Sequence, residues 1–278
     1  MATEIDYKRT RGRPRAANAA KQGATVQALD RALEILKLLS EVDQAKLTEI
    51  ALRSGMAPST AHRLLMTMQQ HDVVDFDETT QNWMVGVESF RIGSSFVRRT
   101  KVVEAGRDVM RELMTVTGET ANMANADDGD VVFLSQVETH QEIRAFFRPG
   151  TRGPMHASGI GKALLAEMSR EEVERILHAK GLQTFTPKTL STPDALFDDL
   201  TTSQRRGWSV DDEERTVGMR CIAAPIFNAH GEAVAGLSIS GPTVRMTDER
   251  LSEYGPLVKR AAAQVTAAIG GVRPDHGA

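Results

Sequence analysis

Residues 47–71 read LTEIALRSGMAPSTAHRLLMTMQQH, and this stretch decides the fold of the N-terminal part of the chain. Gly55 tolerates a positive φ and so permits a sharp turn, and Pro58 suits the first turn of a helix. The pattern therefore predicts one helix over residues 47–54, a turn, and a second helix over residues 58–71. Two short helices joined by a glycine turn are typical of a helix-turn-helix.

The second of these helices carries a polar face near its start. At about 100° per residue, that face presents hydroxyl, imidazole and guanidinium groups, which bond phosphate oxygens and base edges. We therefore expect DNA contacts from Ser59, Thr60, His62 and Arg63. A helix pair with a solvated polar face is the alternative that these residues alone leave open.

The flanking residues favour the DNA-binding interpretation. A preceding helix is predicted by leucines at 29, 33, 36 and 39. Val74 and Phe76, then Trp83 and Val85, alternate with polar residues on either side of a polar turn, which predicts a β-hairpin. A hairpin directly after the helix pair makes residues 25–86 a winged helix-turn-helix.

The charge distribution agrees with a DNA-binding N-terminal part. Residues 1–72 hold 11 Lys and Arg against 8 Asp and Glu, whereas the rest of the chain holds 23 against 29. Residues 1–24 have few large apolar side chains and are expected to form a disordered basic arm. Within it, the segment containing Arg11, Arg13 and Arg15 resembles an AT-hook, which enters the minor groove. A solvated tail attracted only to phosphate is the alternative.

The rest of the chain predicts an α+β fold. We expect a linker helix over residues 87–101, an effector-binding domain over 102–270 and a tail over 271–278. Within the domain, strands are predicted over residues 121–125, 131–137, 144–147, 221–227 and 234–240, with helices between and after them and a loop over 150–154.

Composition excludes several classes of protein. No run approaches the roughly 20 apolar residues of a membrane span, and the basic N-terminus has no apolar core behind it. One cysteine excludes an internal disulfide framework and a cysteine-based zinc cluster. We expect a cytoplasmic protein with no metal, no cofactor and no membrane partner.

From about residue 26 to 269, the chain resembles the IclR family of bacterial transcription regulators. The resemblance is carried by five motifs in family order, which are APSTAHRLL at 57–65, HASGIGKALLA at 156–166, FTPKTL at 185–190, VGMRCIA at 217–223 and LSISGP at 237–242. It implies a GAF-like effector domain, dimers formed through the DNA-binding end, and often homotetramers. A dimer implies a palindromic operator.

The resemblance is closer to the branch that senses glyoxylate and pyruvate. It implies that a small 2-oxo acid is bound by Gly159, Ile160, Asp211, Cys221, Ser238 and Ser240. One departure concerns the far side of that pocket, where Ala145 and Gly153 replace bulkier side chains.

Elementary chemistry supports such a site. Backbone amides at a helix N-terminus, here residues 159–161, bind a carboxylate. Ser238 and Ser240 share one strand face, and Asp211 could accept from a hydroxyl or hydrate of the ligand. Alternatively, the glycines form only a turn, the serines bond the backbone, and Cys221 is a core residue.

Two other functions are compatible with parts of the sequence. An enzyme would use Cys221 or Ser158 as the nucleophile and His156 as the base, although a catalytic cysteine needs an electropositive setting. A DNA-architectural protein would leave the α+β body without a role. The sequence therefore favours a regulator, whether repressor or activator, over an enzyme.

Overall fold

The computed structural model describes residues 26–99 and 101–274, so the arm with Arg11, Arg13 and Arg15 lies outside the described residues. The chain forms two compact units that divide between Ser95 and Phe96. Each unit has its own core. Within the described ranges, no helix is long and apolar enough to cross a membrane.

The first unit contains three helices, α1 (Gln27–Val42), α2 (Leu47–Arg53) and α3 (Pro58–Gln69). Their apolar faces meet in one core, which includes Ile35, Leu39, Ile50, Ala61 and Leu65, each fully buried. Between α2 and α3, Gly55 has φ +64°, so the glycine supplies the turn that its position predicts.

A small antiparallel sheet completes this unit. Strands β2 (Val74–Asp77) and β3 (Asn82–Val85) form the predicted hairpin, with Phe76 opposite Trp83. A third strand, β1 (Gln44–Lys46), pairs with β3 and was not predicted, because three residues are too short for a readable alternation. The winged helix-turn-helix is confirmed. Helices α4 (Val87–Arg99) and α5 (Lys101–Thr117) follow it along the chain.

The second unit is built on one six-stranded antiparallel sheet in the order β6-β5-β4-β9-β8-β7. Its strands are β4 (Thr120–Asp127), β5 (Asp130–Val137), β6 (Arg152–Pro154), β7 (Ser209–Asp212), β8 (Met219–Phe227) and β9 (Ala233–Pro242). Helices cover both faces, so the mixed α+β class is confirmed.

Alternation along β9 separates these two faces. Leu237 and Ile239 join a core with α5 and with α9 (Asp248–Ala268). Ser238 and Ser240 point to the opposite face, which packs against α6 (Gly159–Leu165). Helices α7 (Arg170–Lys180) and α8 (Pro193–Arg206) lie on the α6 side, and α7 begins at a capping box formed by Ser169 and Glu172.

The expected strand at residues 144–147 was wrong. The edge of β5 pairs instead with β6, within the segment predicted as a loop, and a three-residue edge strand tolerates Pro154. The apolar residues at 145–147 have another role. Ala145 is buried, and the ring of Phe147 stacks on Phe133 with centroids 4.3 Å apart.

Candidate DNA-binding and effector-binding sites

Helix α3 carries the candidate DNA-binding face. Its buried side consists of Ala61, Leu65 and Met68, which fix the helix on the core of the first unit. Ser59, His62 and Arg63 are exposed on the other side, and Thr60 is half-buried. All four residues predicted to contact DNA therefore lie on the first half of one helix.

Two of these residues differ in their surroundings. The His62 ring lies edge-on to Trp83 of the hairpin, with centroids 6.4 Å apart, so His62 also contacts the wing. Among the described residues, no carboxylate pairs with the Arg63 guanidinium. Arg63 is therefore the side chain on this face with the most unsatisfied donors for a nucleic acid.

In the second unit, a cavity of about 100 Å³ lies between α6 and the sheet. Its lining includes all six residues predicted to bind an effector, which are Gly159, Ile160, Asp211, Cys221, Ser238 and Ser240. Strand register explains the convergence. Asp211 pairs with Cys221, and Cys221 pairs with Ser240, so three neighbouring strands bring these side chains together.

The start of α6 differs in detail from the expectation. Ser158 is the N-cap, and its Oγ accepts from the Gly161 amide at 3.3 Å, so that amide is already occupied. A Cβ on Gly161 would collide with the backbone of Met155, so this glycine permits close packing rather than freeing an amide. The first-turn amides of Gly159 and Ile160 are the ones left for a ligand.

Asp211 contributes a half-buried carboxyl to the cavity. Its Oδ1 accepts from the Glu214 amide at 2.8 Å. Burial raises its pKa to about 6, against the opposing effects of that amide and of the Lys162 charge. The side chain therefore changes charge near neutral pH.

The proposed nucleophile is poorly suited to catalysis. Burial and the neighbouring Asp211 raise the pKa of Cys221 to about 11, which keeps it a thiol. Ser158 is engaged as a helix cap. His156 is outside the cavity lining, and its Nε2 lies 2.9 Å from the Gln183 carbonyl oxygen. Burial also lowers the pKa of His156. These three residues do not form a nucleophile–base pair.

Sequence reasoning missed two side-chain amides, one buried and one half-buried, that are linked by hydrogen bonds to Ser240 of the cavity. Asn122 on β4 donates from Nδ2 to Ser240 Oγ at 3.2 Å, and Gln136 on β5 donates to Asn122 Oδ1 at 2.8 Å. By contrast, Ser238 Oγ is buried with no hydrogen-bond partner among the described residues. A polar residue between Ala121 and Met123, both buried, was the signal that could have found Asn122.

The apolar wall of the cavity was also missed. It is formed by Val131 and by the stacked rings of Phe133 and Phe147. Gly153 lines the cavity as the resemblance suggested, but Ala145 does not. The bulky side chains on this side of the cavity are therefore those of Phe133 and Phe147.

A buried cluster of charged side chains connects α6 to neighbouring elements. Lys162 is wholly buried, and its Nζ lies 3.1 Å from Asp199 and next to Glu214. Burial raises the pKa of Glu214 to about 7, although Lys162 opposes this. The cluster fixes α6 to α8 and to the segment after β7. Over residues 26–99 and 101–274, no group of three His, Cys, Asp or Glu side chains could hold a metal ion.

Comparison with known proteins gives two family matches. Residues 94–267 match the model "Bacterial transcriptional regulator IclR C-terminal", and residues 28–78 match the "IclR helix-turn-helix domain". The chain is 51% identical over 261 residues to the HTH-type transcriptional regulator BhcR of Paracoccus denitrificans, covering 93% of this chain and 94% of that protein.

Two further relatives agree. The transcriptional repressor IclR of Escherichia coli is 42% identical over 266 residues, covering 95% of this chain and 97% of that protein. The crystal structure of Thermotoga maritima IclR superposes with a TM-score of 0.77 at 28% identity, covering 88% of this chain and 100% of that one.

Proposed function

This chain belongs to the IclR family of bacterial transcriptional regulators, and from that premise we propose that a small 2-oxo acid controls its binding to an operator. The chain is a DNA-binding regulator with a C-terminal effector-binding domain, and not an enzyme. Glyoxylate and pyruvate are the proposed effectors.

One observation carries the proposal. The cavity beside α6 brings hydrogen-bonding groups, among them the unpartnered Ser238 hydroxyl, around a space of about 100 Å³, which suits a molecule of a few heavy atoms. Ser238 Oγ is buried without a partner, and a buried hydroxyl without a hydrogen bond is costly. A ligand oxygen would remove that cost.

The proposed pose follows from the donors and acceptors. The carboxylate accepts from the amides of Gly159 and Ile160, at the positive end of the helix. Ser238 and Ser240 hold its other oxygens, and Asp211 faces the carbonyl or hydrate. The methyl group of pyruvate would contact Phe133 and Phe147.

We further propose that the protein acts as a homodimer or homotetramer on a palindromic operator. Val26, Leu29 and Leu33 form an exposed apolar stripe on α1, at 66%, 58% and 46% exposure. Such a stripe is costly in water and suits a subunit contact. A two-fold dimer would present two α3 helices to two half-sites.

Isothermal titration of the full-length protein tests the effector. We expect saturable binding of glyoxylate or pyruvate, and no binding of acetate, which lacks the 2-oxo group. Ser240→Ala should weaken binding roughly 10- to 100-fold, the effect of one hydrogen bond to a charged group. Operator affinity without effector should be unchanged. No binding of either acid at millimolar concentration would overturn the assignment.

A further inference from the structure

We propose that Arg215 is the counter-ion of the bound effector, and that Phe185 positions it for that role. This inference rests on the proposed function, because it concerns the same cavity and an anionic ligand. Neither residue belongs to the site that the family resemblance implied.

The argument begins with charge. A carboxylate that enters the cavity comes close to Asp211, and two like charges in a poorly solvated space repel strongly. The ligand therefore needs a positive charge that is not already neutralised. Two cationic side chains line the cavity, Arg152 and Arg215.

Arg152 is already paired. Its guanidinium contacts Asp127 at 2.6 Å and Asp130 at 3.3 Å. Lys162, a buried cation on α6, is likewise paired with Asp199 and Glu214. These contacts leave little positive charge for a ligand.

Arg215 differs from both. Within the described part of the chain, no carboxylate pairs with its guanidinium. Its backbone amide donates to the Asp211 carboxylate, which fixes the start of the side chain at the cavity. The residue also lines a neighbouring cavity of about 430 Å³, so it stands at the rim shared by the two.

Phe185 holds the other end of this side chain. The Arg215 guanidinium lies over the Phe185 ring, 4.0 Å from its centroid, and the same ring is stacked on His156 with centroids 6.0 Å apart. A guanidinium stacked by its face keeps its N–H donors free along the edge. Stacking thus restrains Arg215 without using the donors that a carboxylate needs.

This arrangement gives a role to the FTPKTL motif at residues 185–190. Thr186 and Thr189 donate to the carbonyl oxygens of Glu213 and Glu214, at 2.7 and 2.6 Å, and so attach the motif to the segment that carries Arg215. The motif therefore fixes the position of Phe185 relative to the cavity.

The test compares pyruvate with its neutral amide, pyruvamide, by isothermal titration. Arg215→Gln should weaken pyruvate binding roughly 10- to 100-fold and leave pyruvamide unchanged, because the lost interaction is with charge. The control is Arg152→Gln in the same lining, which should change pyruvate affinity less than about threefold, because that cation is already neutralised.

Phe185 is tested with the same two ligands. Phe185→Leu should weaken the binding of pyruvate about two- to fivefold. Phe185→Tyr should bind pyruvate as the wild-type protein does, since tyrosine keeps the aromatic face on which Arg215 stacks. Thermal unfolding checks that each variant is folded. Wild-type affinity for pyruvate in Arg215→Gln, or an equal loss for both ligands, would overturn the inference while leaving the effector proposal intact. No binding of either pyruvate or glyoxylate to the wild-type protein would overturn both.

Discussion

Asn122 Nδ2 donates to Ser240 Oγ across 3.2 Å between two adjacent buried strands. Gln136 in turn donates to Asn122 Oδ1, so the orientation of the amide is fixed. Because Ser240 Oγ accepts this bond, its own proton is left for another acceptor, and Ser240 lines the cavity beside Cys221. Two residues outside the lining thus make Ser240 a donor.

We expect Asn122→Leu to weaken binding of a 2-oxo acid about two- to tenfold, because Ser240 loses its fixed orientation. In a Ser240→Ala background, the same change should have little further effect, since the two residues act through one hydroxyl. Isothermal titration of the four proteins measures this coupling. Asn125→Leu on the same strand is the control, and additive losses would argue against the relay.

Stability should fall as pH rises through the neutral range. Burial raises the pKa of Asp211 to about 6 and that of Glu214 to about 7, so the folded protein holds these protons more tightly than the unfolded chain. The resulting stabilisation is complete below about pH 4, and it is lost as pH passes through these values. Thermal unfolding between pH 5 and 8 measures it.

Asp211→Asn provides the matched variant. An asparagine oxygen can still accept from the Glu214 amide but cannot ionise. We expect this variant to be more stable than wild type at pH 8, by up to roughly 3 kcal/mol, because one pKa unit corresponds to about 1.4 kcal/mol. Lys162, Asp199 and Glu214 remain, so part of the pH dependence should persist. An unchanged pH profile would contradict the burial of this carboxyl.

Local pattern was sufficient for much of the fold. The glycine turn at Gly55 and the hairpin around Trp83 each depend on neighbouring residues, and each is present. The strand expected at residues 144–147 fails for the opposite reason. A short apolar run indicates that side chains are buried, but not which sheet edge is free to pair, and β6 occupies that edge.

The site also has parts that could be predicted from the sequence and parts that could not. The resemblance predicted six residues that share one cavity lining, but it did not predict the contacts between residues that are far apart in the sequence. Asn122 is 118 residues from Ser240, and the ring over which Arg215 lies is 30 residues away. Such pairs depend on register and side-chain direction, which spacing along the chain does not encode.

Arg63 is expected to read a base. Arg63→Ala should weaken binding to the cognate operator by about 1–3 kcal/mol and affect a scrambled duplex much less. Gln70→Ala is the control, since Gln70 is exposed at the far end of α3, whereas recognition helices contact bases near their N-terminus. Equal losses on both duplexes would make Arg63 a phosphate contact instead.

The basic arm is tested by two variants. Deletion of residues 1–20 should weaken binding most where A·T-rich sequence flanks the operator, if Arg11, Arg13 and Arg15 enter the minor groove. Replacing the three arginines with lysine keeps the charge and should reduce the preference for A·T-rich flanks to a similar extent. A uniform loss that disappears at high salt, with the lysine variant equal to wild type, would identify a solvated tail.

The two glycines at the start of α6 should respond differently to a methyl group. On Gly161 the added Cβ meets the backbone of Met155, which cannot move alone, so Gly161→Ala should destabilise the protein by about 1–3 kcal/mol or more. On Gly159 it would lie 2.7 Å from Cys221 Sγ, a single side-chain atom.

Cys221→Ala removes that atom and leaves the nearest Cβ neighbours of Gly159 at 3.4 Å. The double variant Gly159→Ala/Cys221→Ala should therefore be more stable than the sum of its single changes predicts, whereas Gly161→Ala/Cys221→Ala should be additive. Chemical denaturation of the six proteins measures both couplings. If Cys221→Ala relieves neither glycine variant, the close approach of α6 to β8 at Cys221 does not limit the residue at 159. In that case α6 can move away from β8 far enough to accept a methyl group at residue 159.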